Sequence, residues 1–257
     1  MSSHPRRPVK MTARSAILSA LLGTHPARAR AQQIVAIADA LGLRESAARV
    51  ALTRMVSTGD LIRDDGVYTL SPRLLERQKR QDRAMEVPTG PWAGQWRIAI
   101  APDAYAQAAV PAAVGAAPLS DVFGFMKFAE VRDGVWMRPD NHDALAIDVA
   151  GRVSLFSAVP QEPSIDLSER LFAPARWAAD AELMLVDYQN AVGVADRFEV
   201  AATIVRHILD DPLLPAELLP DDWPGVRLRT TYGEFRTDFI EFVNEVIAAS
   251  GGPSITH

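Results

Sequence analysis

Residues 46–70, SAARVALTRMVSTGDLIRDDGVYTL, leave little freedom in how they fold. Ala48, Leu52, Met55 and Val56 recur at helical spacing, and Thr58-Gly59 ends the helix because glycine accepts the left-handed backbone of a helix stop. Residues 61–63 and 67–70 then read as short strands flanking Asp64-Asp65-Gly66, a composition suited to a hairpin turn. Upstream, residues 31–41 place Ile34, Val35, Ile37, Ala38 and Leu41 on one side and break at Gly42. Before that, residues 12–22 carry an apolar stripe of Ile17, Leu18, Leu21 and Leu22, closed by Gly23-Thr24-His25-Pro26. Helix, glycine-containing turn, helix and β-hairpin is the order of a winged helix-turn-helix, whose second helix enters a DNA major groove.

The third helix, expected over residues 45–58, turns Ser46, Arg49, Val50 and Thr53 away from its apolar side. An arginine, two hydroxyls and a small aliphatic group on one stripe can read base edges, donate to phosphates and touch a thymine methyl. Arg54 suits either a phosphate contact or an ion pair. Arg63 is the hairpin's own basic residue, because the tip, Asp64-Asp65, is acidic and repels phosphate.

Charge is distributed to match. Residues 1–91 hold 15 Lys/Arg against 8 Asp/Glu and residues 92–257 hold 12 against 24, so +7 and −12 lie behind the whole-chain −5. Such asymmetry marks one nucleic-acid-facing part joined to a part with another task. At 257 residues and 48 % hydrophobic, the chain is long enough for two or three domains. It has no cysteine, which excludes disulfides and thiolate metal sites. No signal peptide or membrane span is readable, since the apolar run at residues 16–22 is too short. A cytoplasmic protein with no membrane partner is expected.

Ser71-Pro72 reads as the N-cap and first residue of a further helix bearing Arg73, Arg77, Lys79, Arg80 and Arg83. This basic linker, residues 72–91, suits either contact with the DNA backbone or a solvated connector, and Pro88-Thr89-Gly90-Pro91 closes it. Beyond it, a strand is expected within residues 92–101, ending at Pro102, and further strands at 125–131, 135–137, 144–149 and 152–158, with an Ala-rich helix over 104–114 interrupted at Pro111, and Pro118 beyond it. Strands with an intervening helix describe a small α+β layer. The remainder reads as helices at residues 166–172, 177–192, 196–209 and 232–250, stopped by Gly251-Gly252-Pro253.

Several of these runs occur together and in order. Ala48-Arg49-Val50-Ala51-Leu52-Thr53-Arg54-Met55, then Gly59-Asp60-Leu61 and Tyr68-Thr69-Leu70-Ser71, then Trp92-Ala93-Gly94-Gln95-Trp96, resemble the phenylacetate-degradation repressor (PaaX-type) family. The Pro- and Trp-dense run from Arg206-His207 through Asp211-Pro212-Leu213-Leu214-Pro215 to Leu218-Leu219-Pro220-Asp221-Asp222-Trp223-Pro224-Gly225 is its most specific signature. The resemblance spans about residues 13–250. It implies an α+β multidomain repressor that acts as a homodimer. Its parts would be an N-terminal winged helix-turn-helix (residues 10–71), the basic linker (72–91), a middle ferredoxin-like α+β domain (92–160) and a C-terminal helical effector and dimerisation domain (161–257). It further implies release from operator DNA by phenylacetyl-coenzyme A or a related aromatic acyl thioester. One departure is Arg44, which stands where the family usually has a hydroxyl N-cap for the third helix.

Such an effector joins an apolar acyl end to anionic phosphates, so its site pairs aromatic walls with arginine. Trp96 with Arg97, Trp136 with Arg138, and Arg206 with His207 offer that pairing, although buried tryptophans and surface arginines are also ordinary core and surface residues. His207 near a helix end also fits a structural cap. No nucleophile elbow, phosphate-binding loop, HExxH or dinucleotide fingerprint is present, so a non-enzyme without cofactor is expected. Asp210-Asp211 and Asp221-Asp222 are adjacent acids of the kind found in turns, and no metal is expected there. Two rival readings remain. One is a metal-dependent nuclease built on the middle domain around Asp103, which lacks the several carboxylates such chemistry needs. The other is a DNA-binding protein with no effector.

Overall fold

A computed structural model describes residues 11–22, 27–86, 91–101, 119–141 and 153–249. The expected helix at 104–114, the expected strand at 144–149 and Asp103 lie outside them. The described elements are mixed α and β: helices with two small antiparallel sheets. They fall into two compact units, one of residues 1–86, 181–210 and 224–257, the other of residues 87–180 and 211–223. These units cut across the segment boundaries expected at 72–91 and 161–257.

The first unit begins with α1 (Ala13–Leu22), β1 (Arg28–Arg30), α2 (Ala31–Ala40) and α3 (Glu45–Ser57). The hairpin β2 (Leu61–Asp64) and β3 (Val67–Leu70) follows, then α4 (Pro72–Ala84). Helix α1 is apolar on two sides because it is buried on two sides. Ile17, Leu18, Leu21 and Leu22 pack with Leu52, Met55, Leu61, Tyr68, Leu70 and Leu74. Ala16 and Ala20 instead join Ile37 and Leu41 of α2 and its end against Phe198, Phe235, Phe239, Val243 and Ile247. Each large side chain so buried contributes about 1.5–3 kcal/mol. The last five residues belong to α8 (Gly193–Leu209) and α9 (Gly225–Ala249). The early helices are therefore completed by chain from the far end of the sequence.

Three local features differ from the sequence expectation. Arg28–Arg30 forms a third strand, antiparallel to β3, too short to give a readable alternation. Helix α9 starts at Gly225, seven positions before residue 232, inside the Pro-rich signature run. Ser71 occupies the N-cap position of α4, but its side chain makes no capping hydrogen bond. Helix α4 itself is anchored in the unit, with Leu74 in the core and Gln78 Nε2 donating to the Leu22 carbonyl at 2.8 Å.

The second unit is built on β4 (Trp96–Ile100), β5 (Ala129–Arg132), β6 (Val135–Pro139) and β7 (Ser154–Ala158), in the order β5-β6-β4-β7 with every neighbour antiparallel. The strand expected over 125–131 is divided: α5 (Leu119–Phe125) ends there, Lys127 turns with φ 63°, and β5 begins at Ala129. On one side of the sheet Trp136 stacks on Phe123 of α5, with Phe128 beside it. On the other, Trp96 packs with Leu167 of α6 (Ser164–Phe172) and with Leu214 and Leu218 of the Pro-rich run, which forms a 3-10 turn at Ala216–Leu218. Within that run Asp211 Oδ1 accepts from the Leu213 N–H, and Trp223 stacks on Trp177 of α7 (Pro174–Asn190) with ring centroids 4.4 Å apart.

Candidate nucleic-acid interface

Helix α3 is fixed from beneath. Ala48, Leu52 and Met55 are buried, whereas Ser46, Arg49, Val50, Thr53 and Arg54 are all exposed. The four stripe residues sit at spacings of three and four, which places them on one helix face. Arg49 pairs with Glu45 one turn earlier at 2.7 Å. Two exposed partners on one helix gain only about 0–1 kcal/mol, so this pair restrains the guanidinium little. Thr53 Oγ1 donates to the Arg49 carbonyl and keeps its acceptor lone pairs. Arg54 makes no ion pair with another described residue. Arg44 stands at the N-cap and gives no side-chain capping bond, as the missing hydroxyl implies.

The end of α3 is made by a paired closure. The Gly59 N–H donates to the Val56 carbonyl and the Asp60 N–H to the Met55 carbonyl, with Gly59 at φ 70°. Asp60, only 3 % exposed, follows at once. Its carboxylate accepts from Arg14 of α1 at 2.8 Å, from Arg73 of α4, and from Thr58 Oγ1. The Arg14 hydrogen bond is the largest cause of an Asp60 pKa held below the ordinary carboxylate value. One buried carboxylate thus ties α1 and α4 to the turn that leads from α3 into the hairpin.

The hairpin closes through Asp65 and Gly66, both at positive φ (41° and 74°), as a two-residue turn matched to strand twist requires. Arg63 lies over the Tyr68 ring at 5.8 Å. The strand pairing brings two further exposed arginines alongside: Arg28 sits opposite Thr69 and Arg30 opposite Val67. The sequence reading singled out neither, because three residues with only Ala29 buried between the arginines are too few to mark a strand.

The residues expected to pair aromatic walls with arginine are divided between the units. Trp96 and Trp136 are buried in the second unit on opposite sides of its sheet. Arg97 is ion-paired with Asp140 at 2.9 Å, and Arg138 is buried with its guanidinium over Phe128. Arg206 and a buried His207 occupy the last turn of α8 in the first unit. Among the described residues no group of three or more His, Asp or Glu side chains is placed to hold a metal, and no helix is long and apolar enough to cross a membrane.

Residues 12–74 match the family described as PaaX-like protein, and residues 175–248 match the PaaX-like protein C-terminal domain. None of the curated proteins matches. Among solved structures, uncharacterized protein Rv0674 from Mycobacterium tuberculosis is 44 % identical, with a TM-score of 0.74, over 91 % of this chain and 98 % of that one. The chain belongs to the PaaX-like family.

Proposed function

We propose that the chain is a DNA-binding transcriptional repressor in which α1–α3 and the β2–β3 hairpin act as a winged helix-turn-helix. The observation that carries this reading is the exposed stripe Ser46-Arg49-Val50-Thr53 on a helix whose opposite side is locked into a core. Arg49 is the base-reading residue, Ser46, Val50 and Thr53 support it, and Arg54, Arg63, Arg28 and Arg30 supply phosphate contacts. Family membership supports regulation over catalysis. The second unit is read as ferredoxin-like, supported by its strand order, with the first strand central between the third and the fourth. Two copies would bind an inverted repeat with half-sites about one helical turn, or a multiple, apart. The effector reading, release by an aromatic acyl-coenzyme A such as phenylacetyl-coenzyme A, rests on the family resemblance.

The test is operator binding by gel shift at fixed salt. Arg49→Ala is expected to weaken specific binding by about 1–3 kcal/mol and to relax the preference at one base position. Equal affinity of variant and parent would remove α3 from the groove.

A further inference from the structure

The first unit contains a cavity of about 260 Å³ between α1, α4, α8 and α9. Phe198, Tyr232, Phe235 and Phe239 supply aromatic wall, and Arg14, Arg77, Arg206 and Arg236 come from all four helices. No carboxylate is among its lining residues. Two of the arginines are already engaged: Arg236 with Asp82 at 3.1 Å and Arg14 with Asp60 at 2.8 Å. Arg206 gives its Nε–H to the Ala202 carbonyl, while Arg77 makes no hydrogen bond or ion pair with another described residue. Burial first, then the charges of Arg14, Arg80 and Arg206, lower the Arg77 pKa. A guanidinium stays charged regardless, so the cavity holds positive charge that its own lining does not neutralise. Tyr232, its phenol pushed up to about 12 by burial, remains a neutral hydroxyl.

We propose that this cavity binds an organic anion with an aromatic or acyl body, the apolar part among the phenylalanines and the carboxylate or phosphate on Arg77, Arg206 and Arg14. The chemistry follows from the walls: aromatic faces reward an apolar group, and arginines arranged without carboxylates reward a planar or tetrahedral anion. The volume admits the acyl end and one anionic group of a larger ligand rather than a whole coenzyme A. Arg14 makes the site consequential. It lines the cavity and also holds Asp60, so an anion that draws Arg14 inward removes one of the two arginines fixing the turn between α3 and β2. That is a differential interaction between two states of the DNA-binding helix, which ligand-controlled release requires. As an account of where the effector acts, this rests on the repressor reading; as a binding site, it does not.

The experiment titrates phenylacetyl-coenzyme A and, separately, 1-anilinonaphthalene-8-sulfonate into the full-length protein. The proteins compared are the parent, Arg77→Gln, the Arg77→Gln/Arg206→Gln double variant, and Arg170→Gln as a control at an exposed arginine of the second unit, outside the cavity. At least one probe is expected to bind the parent and the control alike and the double variant at least tenfold more weakly. The single Arg77→Gln variant carries the test should the double variant fail to fold, because that guanidinium makes no hydrogen bond within the described residues. Unchanged binding in the cavity variants, or no binding of either probe to the parent, overturns the site. Arginine-dependent binding of the sulfonate but not the thioester upholds the site and overturns the thioester reading. Operator affinity is expected to fall about tenfold with bound ligand in the parent, within the range of allosteric couplings. Binding that leaves operator affinity unchanged overturns the coupling through Arg14.

Discussion

Asp60 concentrates at one carboxylate the geometry that orients α3, since two arginines from different helices and a threonine hydroxyl converge on it. Asp60→Asn keeps the shape and removes the charge, and is expected to cost about 1–3 kcal/mol of stability at neutral pH. The pH dependence has a definite sign. The folded carboxyl titrates below its ordinary value of 3.8, so its stabilisation is present above that pH and disappears as the pH falls through the lower folded value. Urea midpoints of parent and Asp60→Asn should therefore differ at pH 7 and converge below about pH 3.8. A constant gap across that range would mean the carboxylate charge does not matter. Nothing in the sequence pointed to this role. Arg14 and Asp60 are 46 positions apart and meet only because α1 and α3 share a core.

At the scale of elements, local chemistry was largely readable. The limits of α1, α2 and α3 and the presence of the hairpin follow from apolar spacing and from glycines whose role is conformational, but Asp64, expected in the turn, extends β2 and leaves a two-residue turn. Gly59→Ala places a side chain at φ 70° and is expected to lower stability by about 1–2 kcal/mol in chemical denaturation. What escaped was whatever depends on a neighbour. Strand β1 is defined by pairing with β3, and the start of α9 lies within a proline-rich run that reads as loop. The basic helix α4 was legible as a helix, but not that Arg73 reaches Asp60 and Arg77 faces a cavity. The β1 arginines make a test at this scale. Replacing Arg28 and Arg30 together with glutamine should reduce the slope of log affinity against log salt by about 0.9 for each phosphate no longer neutralised. An unchanged slope would leave β1 outside the interface.

At the scale of the whole molecule, the compact units are assembled from segments far apart in sequence, because they are defined by spatial packing rather than by chain order. The edge strand β7 of the second unit leaves Leu155 and Phe156 each 53 % exposed. If this is where two copies meet, Phe156→Arg should convert a dimer to a monomer in sedimentation equilibrium and weaken operator binding because the two half-sites are no longer held together. A variant that remains dimeric would place the dimer interface elsewhere. The discontinuity of the first unit has a further consequence, for synthesis. Leu41 packs in a cluster with Phe198, Phe235 and Phe239, which are made much later. At about 5–20 residues per second, the roughly 160 residues from Leu41 to Phe198 take about 8–30 s to make. Throughout that interval the apolar side of α2 lacks the partners it has in the folded chain, so the packing of α1 and α2 is completed only once α8 and α9 have been made.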